Sequence, residues 1–206
     1  MNASLLAIDP GAHSVALAVW VDGVLTGLSF AEFRTRESMA DWWQHEWPVY
    51  PEGSRLLVEC PQVYQQRRWK GDPNDLIQVA VTVGVLIGGA RGASDILLVR
   101  PHEWKGSVPK AVHQARVLGA APASDRNFIE SYCDTVVKRH NVMDAYALGR
   151  WLLNKEQTNG ENVGRKNAGK ATKSPGKAQD GKRPGRSLRD NEPVCVPVAR
   201  GARKTR

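Results

Sequence analysis

Three apolar runs near the N-terminus, Ser4–Ile8, Val15–Val21 and Val24–Phe30, restrict the topology of this chain more than any other feature. The second and third are separated only by Asp22-Gly23, a pair that accepts positive φ and closes a two-residue hairpin. Between the first and second lies Asp9-Pro10-Gly11, where Asp can cap its own turn, Pro fixes φ and Gly accepts φ > 0. The fold therefore opens as an antiparallel meander. Glu37–Trp47 then spaces Met39, Trp42, Trp43 and Trp47 on a helical period and stops before Pro48 and Pro51. This Trp-rich face serves a core or a partner surface. Arg55–Val58 is a short apolar run ending in Glu59, Asp75–Ala90 is a helix, and Ile96–Val99 is another short strand. Pro109–Leu118, Asp125–Val137 with Ser124 as its cap, and Val142–Leu153 complete the helices. The order βββ-α-β-α-β-α-α predicts an α/β fold, a mixed sheet flanked by helices with the first strand central and Arg55–Val58 parallel beside it.

Composition marks where this body stops. From Lys155 to Arg206 there are fourteen Lys/Arg against five Asp/Glu, and no aromatic residue follows Trp151. Such a segment buries too little apolar surface to offset its ordering entropy, so 155–206 reads as a disordered basic tail and 1–154 as the folded domain. The body is nearly neutral, with fifteen basic and sixteen acidic residues, so the tail, at +9, accounts for the chain's formal net charge of +8. An arm of this kind attracts a polyanion such as nucleic acid in a salt-dependent way, or simply solubilises the chain. Cys60, Cys133 and Cys195 are unclustered and odd in number, which fits a reducing, intracellular compartment rather than a disulfide framework or a zinc site. There is no secretory leader pattern and no run near ~18 apolar residues, so membrane insertion is not expected.

Two of the strands expected to be parallel neighbours end in an acid. Adjacent strands lie ~4.8 Å apart, so Asp9 and Glu59 would emerge side by side at the carboxyl edge of the sheet and repel unless a cation joined them. Hard oxygen ligands suit Mg²⁺ or Mn²⁺. A third acid, Asp144, lies in RHNVMDAYALGRWLL, a helix apolar almost all round its C-terminal half. An Asp there is costly if unpaired and sensible if it faces a metal. His140 and Asn141, one turn earlier, share its face. The competing reading makes Asn141 an N-cap with Asp144 at N3. Arg67, Arg68, Trp69 and Lys70 form a basic cluster with one aromatic, suited to phosphates and to stacking on an opened base, or equally to a solvated loop. Lys110 reads as a surface residue at a helix start, and His13, His45, His102 and His113 are scattered.

AIDPG after the opening strand, LLVECPQ after the fourth and HNVMDAYALGRWLL on the last helix resemble the RuvC-like branch of the ribonuclease H-like superfamily. RPHEWKGSVPK is similar to a segment of its phage-type members, and the resemblance spans roughly residues 4–153. It implies a ribonuclease H-like mixed five-stranded sheet and a Holliday junction resolvase, an intracellular, nucleoid-associated DNA recombination and repair endonuclease working as a homodimer on branched DNA. It also implies that Asp9, Glu59 and Asp144 hold two divalent ions, ~3.5–4 Å apart, that clamp the attacking and leaving oxygens. The family usually has Asp or His three residues before the last Asp. Here that position is Asn141, whose carbonyl can coordinate without adding charge, and His140 beside it is the alternative. Lys105 takes a phosphate near the metals on this reading, while Trp104 packs. Two other classes stay open: a non-catalytic DNA-binding protein that kept the fold, and an actin- or hexokinase-like phosphotransferase, which needs two such lobes.

Overall fold

A computed structural model describes residues 4–46, 53–63 and 72–168, with side chains described except at 46 and 160–168. Strands β1 (Ser4–Pro10), β2 (Ser14–Val21) and β3 (Val24–Glu32) form the opening meander. Asp22 and Gly23 have φ of 52° and 78°, the double positive φ of a two-residue hairpin whose twist matches its strands. β4 (Arg55–Glu59) pairs parallel with β1, and β5 (Asp95–Val99) pairs parallel with β4. The sheet order is β3-β2-β1-β4-β5, with β2 antiparallel to both β1 and β3. These residues build one five-stranded lobe, against the two that the phosphotransferase reading requires.

Alternation along the strands sends successive side chains to opposite faces. Leu6, Ile8, Leu17, Leu56 and Val58 meet Met39 and Trp43 together with Val83 and Leu86. Met39 belongs to α1 (Arg36–Asp41) and Trp43 to the π-helical turn Trp42–Glu46 that continues it. Val83 and Leu86 come from α2 (Pro73–Gly89). On the other face Leu5, Ala7, Trp20 and Leu57 pack with Val142, Ala145, Tyr146 and Leu148 of α6 (Val136–Ala168). Gly149 brings α6 down onto the sheet, because a Cβ there would lie 2.2 Å from the Trp20 ring. Between β5 and α6 run the single turn α3 (Pro101–Trp104), α4 (Lys110–Ala120) and α5 (Ala123–Tyr132). Buried Asp125 ties α5 to α6 by accepting a 2.8 Å hydrogen bond from the Tyr146 hydroxyl.

Several boundaries differ from those read in the sequence. β1 continues through Asp9, which faces Ala16 in the ladder, so Asp9 belongs to the strand and the turn begins at Gly11. The Gly11 N–H closes that turn on the Ser14 carbonyl at 2.8 Å. Ser124 is not a cap: Pro122 holds that place with no side-chain bond, and Ser124 lies inside α5. α6 starts at Val136, so Asn141 and Asp144 lie in the helix interior and the capping reading of that pair fails. α6 also runs on to Ala168, making 155–168 of the expected tail helical. Residues 169–206 lie outside the described residues, as do Arg67, Arg68, Trp69 and Lys70. No helix among the described residues is long and apolar enough to cross a membrane.

Candidate active site

The register that pairs Ile8 with Val58 carries Asp9 alongside Glu59 one step later. Both then point to the face that holds Leu5, Ala7 and Leu57, which is the face α6 covers. Asp144 comes from that helix, with its side chain only 4% exposed. The charges of these three residues act on one another. Burial, followed by the charges of Glu59 and Asp144, pushes the Asp9 carboxyl up from 3.8 to about 8, against the opposing pull of Lys105 and Lys110. Burial also raises Glu59, with Lys105 working the other way.

Glu59 accepts a 2.8 Å hydrogen bond from the Trp104 indole N–H, and the Lys105 ammonium lies 3.2 Å from its Oε1. Burial works to lower the Lys105 pKa, but the charges of Glu59, Asp144 and Asp9 outweigh it and raise it. Asp144 is paired with the Lys110 ammonium at 2.8 Å through Oδ2 and accepts from the Gln114 amide at 2.8 Å through Oδ1. Gln114 is buried, and the same nitrogen donates to the His140 carbonyl at 2.9 Å. Its role is to fix both the Asp144 rotamer and the preceding turn of α6. Asp9 is different: among the described residues no hydrogen bond or ion pair reaches its carboxylate, which feels its burial, its repelling neighbours and the charges of Lys105 and Lys110.

The acids expected to meet, Asp9, Glu59 and Asp144, are thus brought into mutual electrostatic range, and Lys105 stands among them. Lys110 is not the free surface residue expected but an Asp144 partner, and Trp104 holds Glu59 as well as packing. Sequence reasoning missed Gln114 altogether. The signal was its place on α4, one turn after Lys110, which sets both on one helix face. Asn141 and His140 share the Asp144 face of α6 by spacing, with Asn141 half-buried and His140 exposed.

Among the described residues no three His, Cys, Asp or Glu side chains converge closely enough to hold a metal ion as they stand. The donor chemistry nevertheless fits a hard divalent cation. Three carboxylates repel one another, one of them has no partner, and ammonium groups sit on the other two.

A second support holds the turn after Asp9. Thr82 of α2, fully buried, donates to the Gly11 carbonyl at 2.9 Å, and the Arg36 guanidinium donates to Thr82 Oγ1. The loop between β1 and β2 is thereby fastened to α2.

The central strand, antiparallel to β2 and parallel to β4, carries its acid at the carboxyl edge beside that of β4, in an order β3-β2-β1-β4-β5. This is the mixed five-stranded sheet flanked by helices that the resemblance implied. No family model matches the sequence, and no curated protein does. Among solved structures the chain is similar to T. thermophilus RuvC in complex with a Holliday junction substrate, at 16% identity and a TM-score of 0.42 over 71% of this chain and 89% of that one. It is also similar to the Thermus thermophilus RuvC structure, at 17% identity and a TM-score of 0.41 over 70% of this chain and 90% of that one.

Proposed function

We propose that this chain is a divalent-metal-dependent, structure-selective DNA endonuclease that resolves four-way junctions or other branched DNA by phosphodiester hydrolysis. The observation that carries the reading is the trio Asp9, Glu59 and Asp144, drawn from β1, β4 and α6 to one edge of the sheet, where burial and then the charges of its two neighbours push the Asp9 carboxyl up to about 8. Asp9, Glu59 and Asp144 would hold Mg²⁺ or Mn²⁺, with Asn141 or His140 completing a second site. Bound there, the ions supply an activated water and charge stabilisation for the phosphate.

The chain's own groups do the rest. Lys105 and Lys110 hold Glu59 and Asp144 while no cation is present, and their ammoniums stand ready to meet a phosphate at the same edge. Gln114 and Trp104 fix the two carboxylates, and Thr82 fixes the turn that follows the third. Arg67, Arg68, Trp69 and Lys70 contribute phosphate contacts and a stacking surface. The basic residues from 155 onward act as a salt-dependent arm attached to a nuclease domain within residues 1–154.

Cutting two symmetric strands calls for two copies about a two-fold axis.

Lys105 and Lys110 seated on two of the acids favour one other reading, a DNA-binding protein that kept the fold without catalysis. A single experiment separates the two. A synthetic four-way junction and a linear duplex are incubated with wild type and Asp9→Asn, with Mg²⁺ or with chelator. The nuclease cuts the junction in Mg²⁺ only, and Asp9→Asn binds it without cutting. Wild-type binding with no cut in either Mg²⁺ or Mn²⁺ leaves the non-catalytic reading.

A further inference from the structure

Beyond the three acids, α4 and α6 enclose a cleft of about 280 Å³. Trp104, Val117 and Trp151 wall it with apolar surface, and Arg116 and Arg150 stand on its lining. Among the described residues neither guanidinium has a carboxylate partner. His113 also lines the cleft, packed edge-on to Trp104 with ring centroids 5.1 Å apart. Its Nε2 is buried without a hydrogen-bond partner, and a polar atom left this way is costly. A purely apolar ligand would leave both guanidiniums unused, and a bare phosphate would leave the aromatic wall unused. A planar heterocycle joined to a phosphate uses both.

The position is as telling as the chemistry. Ala147 and Trp151 both line the cleft, three and seven residues beyond Asp144 on α6. At 1.5 Å rise per residue they lie ~5–10 Å along the axis from the acid. That is within about three steps of a nucleic-acid strand at 3.4 Å per step. Trp104 connects the two places directly, since its ring walls the cleft while its N–H holds Glu59.

We infer that this cleft is a nucleotide subsite, taking one unstacked nucleotide with its base against Trp104, Val117 and Trp151 and its phosphate on Arg116 and Arg150. The inference rests on the nuclease reading only in assigning that nucleotide to the DNA being cut. The same chemistry admits a free nucleoside monophosphate.

The test uses the full chain, with deoxyadenosine monophosphate as the probe followed by ligand-observed NMR, and inorganic phosphate for comparison. Ala120, which lines the cleft at the exposed C-terminal end of α4, is replaced in Ala120→Trp to fill it, and Arg150→Glu reverses its charge. Circular dichroism confirms that both variants fold. Wild type is expected to bind the nucleotide about tenfold more tightly than phosphate, and each variant to weaken nucleotide binding about tenfold, roughly the worth of one base stack.

Affinity for a four-way junction is then measured for the same proteins. A parallel loss in Ala120→Trp assigns the occupant to the DNA, and unchanged junction affinity assigns it to a free nucleotide. Both outcomes support the subsite. Nucleotide binding that neither variant alters overturns it, as does failure of wild type to bind the nucleotide with junction affinity unchanged in Ala120→Trp. A protein that binds the nucleotide in the cleft but cuts no DNA overturns the nuclease reading and leaves the subsite standing.

Discussion

Replacing Asp9 by Asn should make the metal-free protein more stable in alkali, the opposite of what loss of a structural aspartate would do. The wild-type carboxyl is raised from 3.8 to about 8 by burial and by the charges of Glu59 and Asp144. A raised acid favours the protonated fold, so its contribution is fully present below 3.8, declines as pH rises and is lost above about 8. Each pKa unit is worth about 1.36 kcal/mol. Asp9 is half-buried and shares its repulsion with two other acids, so the penalty above pH 8 is on the order of 3 kcal/mol after allowance for solvent screening.

Asn keeps the shape and removes the charge. At about 2–4 °C per kcal/mol for a protein of this size, Asp9→Asn should melt about 6–12 °C above wild type at pH 9. The two should converge toward pH 4. Calorimetry in chelator at the two pH values measures this directly. Adding Mg²⁺ at pH 8 should then raise the wild-type Tm by mass action and raise that of Asp9→Asn far less. Coincident melting at pH 9, or a variant less stable at every pH, would refute the picture of three carboxylates forced together.

Two further outcomes follow from the supports around the site. Gln114→Leu removes the buried donor to Asp144 and the His140 carbonyl. It should lower stability by about 2–3 kcal/mol in urea titration and reduce junction cleavage about 10–100-fold with the Mg²⁺ requirement shifted upward. Thr82→Val preserves shape while losing the bond to Gly11 and the acceptor for Arg36. It should cost about 1–3 kcal/mol, and hydrogen exchange at Gly11 should rise while that of the β1 interior does not.

Much of the sheet was legible because its signals are local. Asp22-Gly23 dictates a hairpin through backbone sterics alone, and the alternation in β1 and β2 states which residues face which layer. The positions of Asp9 and Glu59 at strand ends followed from the same reading, since parallel pairing in register puts equivalent positions side by side. The Trp-rich segment is helical over 37–46, as its spacing predicts, with Trp47 outside the described residues, but no spacing reveals that Trp42–Glu46 forms a π-helical turn. Ser124 looked like a cap because Ser favours that role. The structure starts the helix two residues earlier, after Pro122.

Local chemistry by itself therefore determined the meander, the parallel crossovers, and the delivery of two acids to one edge. Only tertiary structure decided what those acids meet. Asp144 lies in the interior of α6, which Gly149 allows to settle against Trp20. α4 brings Lys110 and Gln114 to Asp144 from residues 30 and more positions away in sequence. No periodicity encodes such a contact, because a lysine at a helix start looks solvated until the opposing helix supplies a buried carboxylate. The same holds for the cleft beyond them: Arg116 and Arg150 belong to different helices, and only packing α4 against α6 gives them a shared space to face.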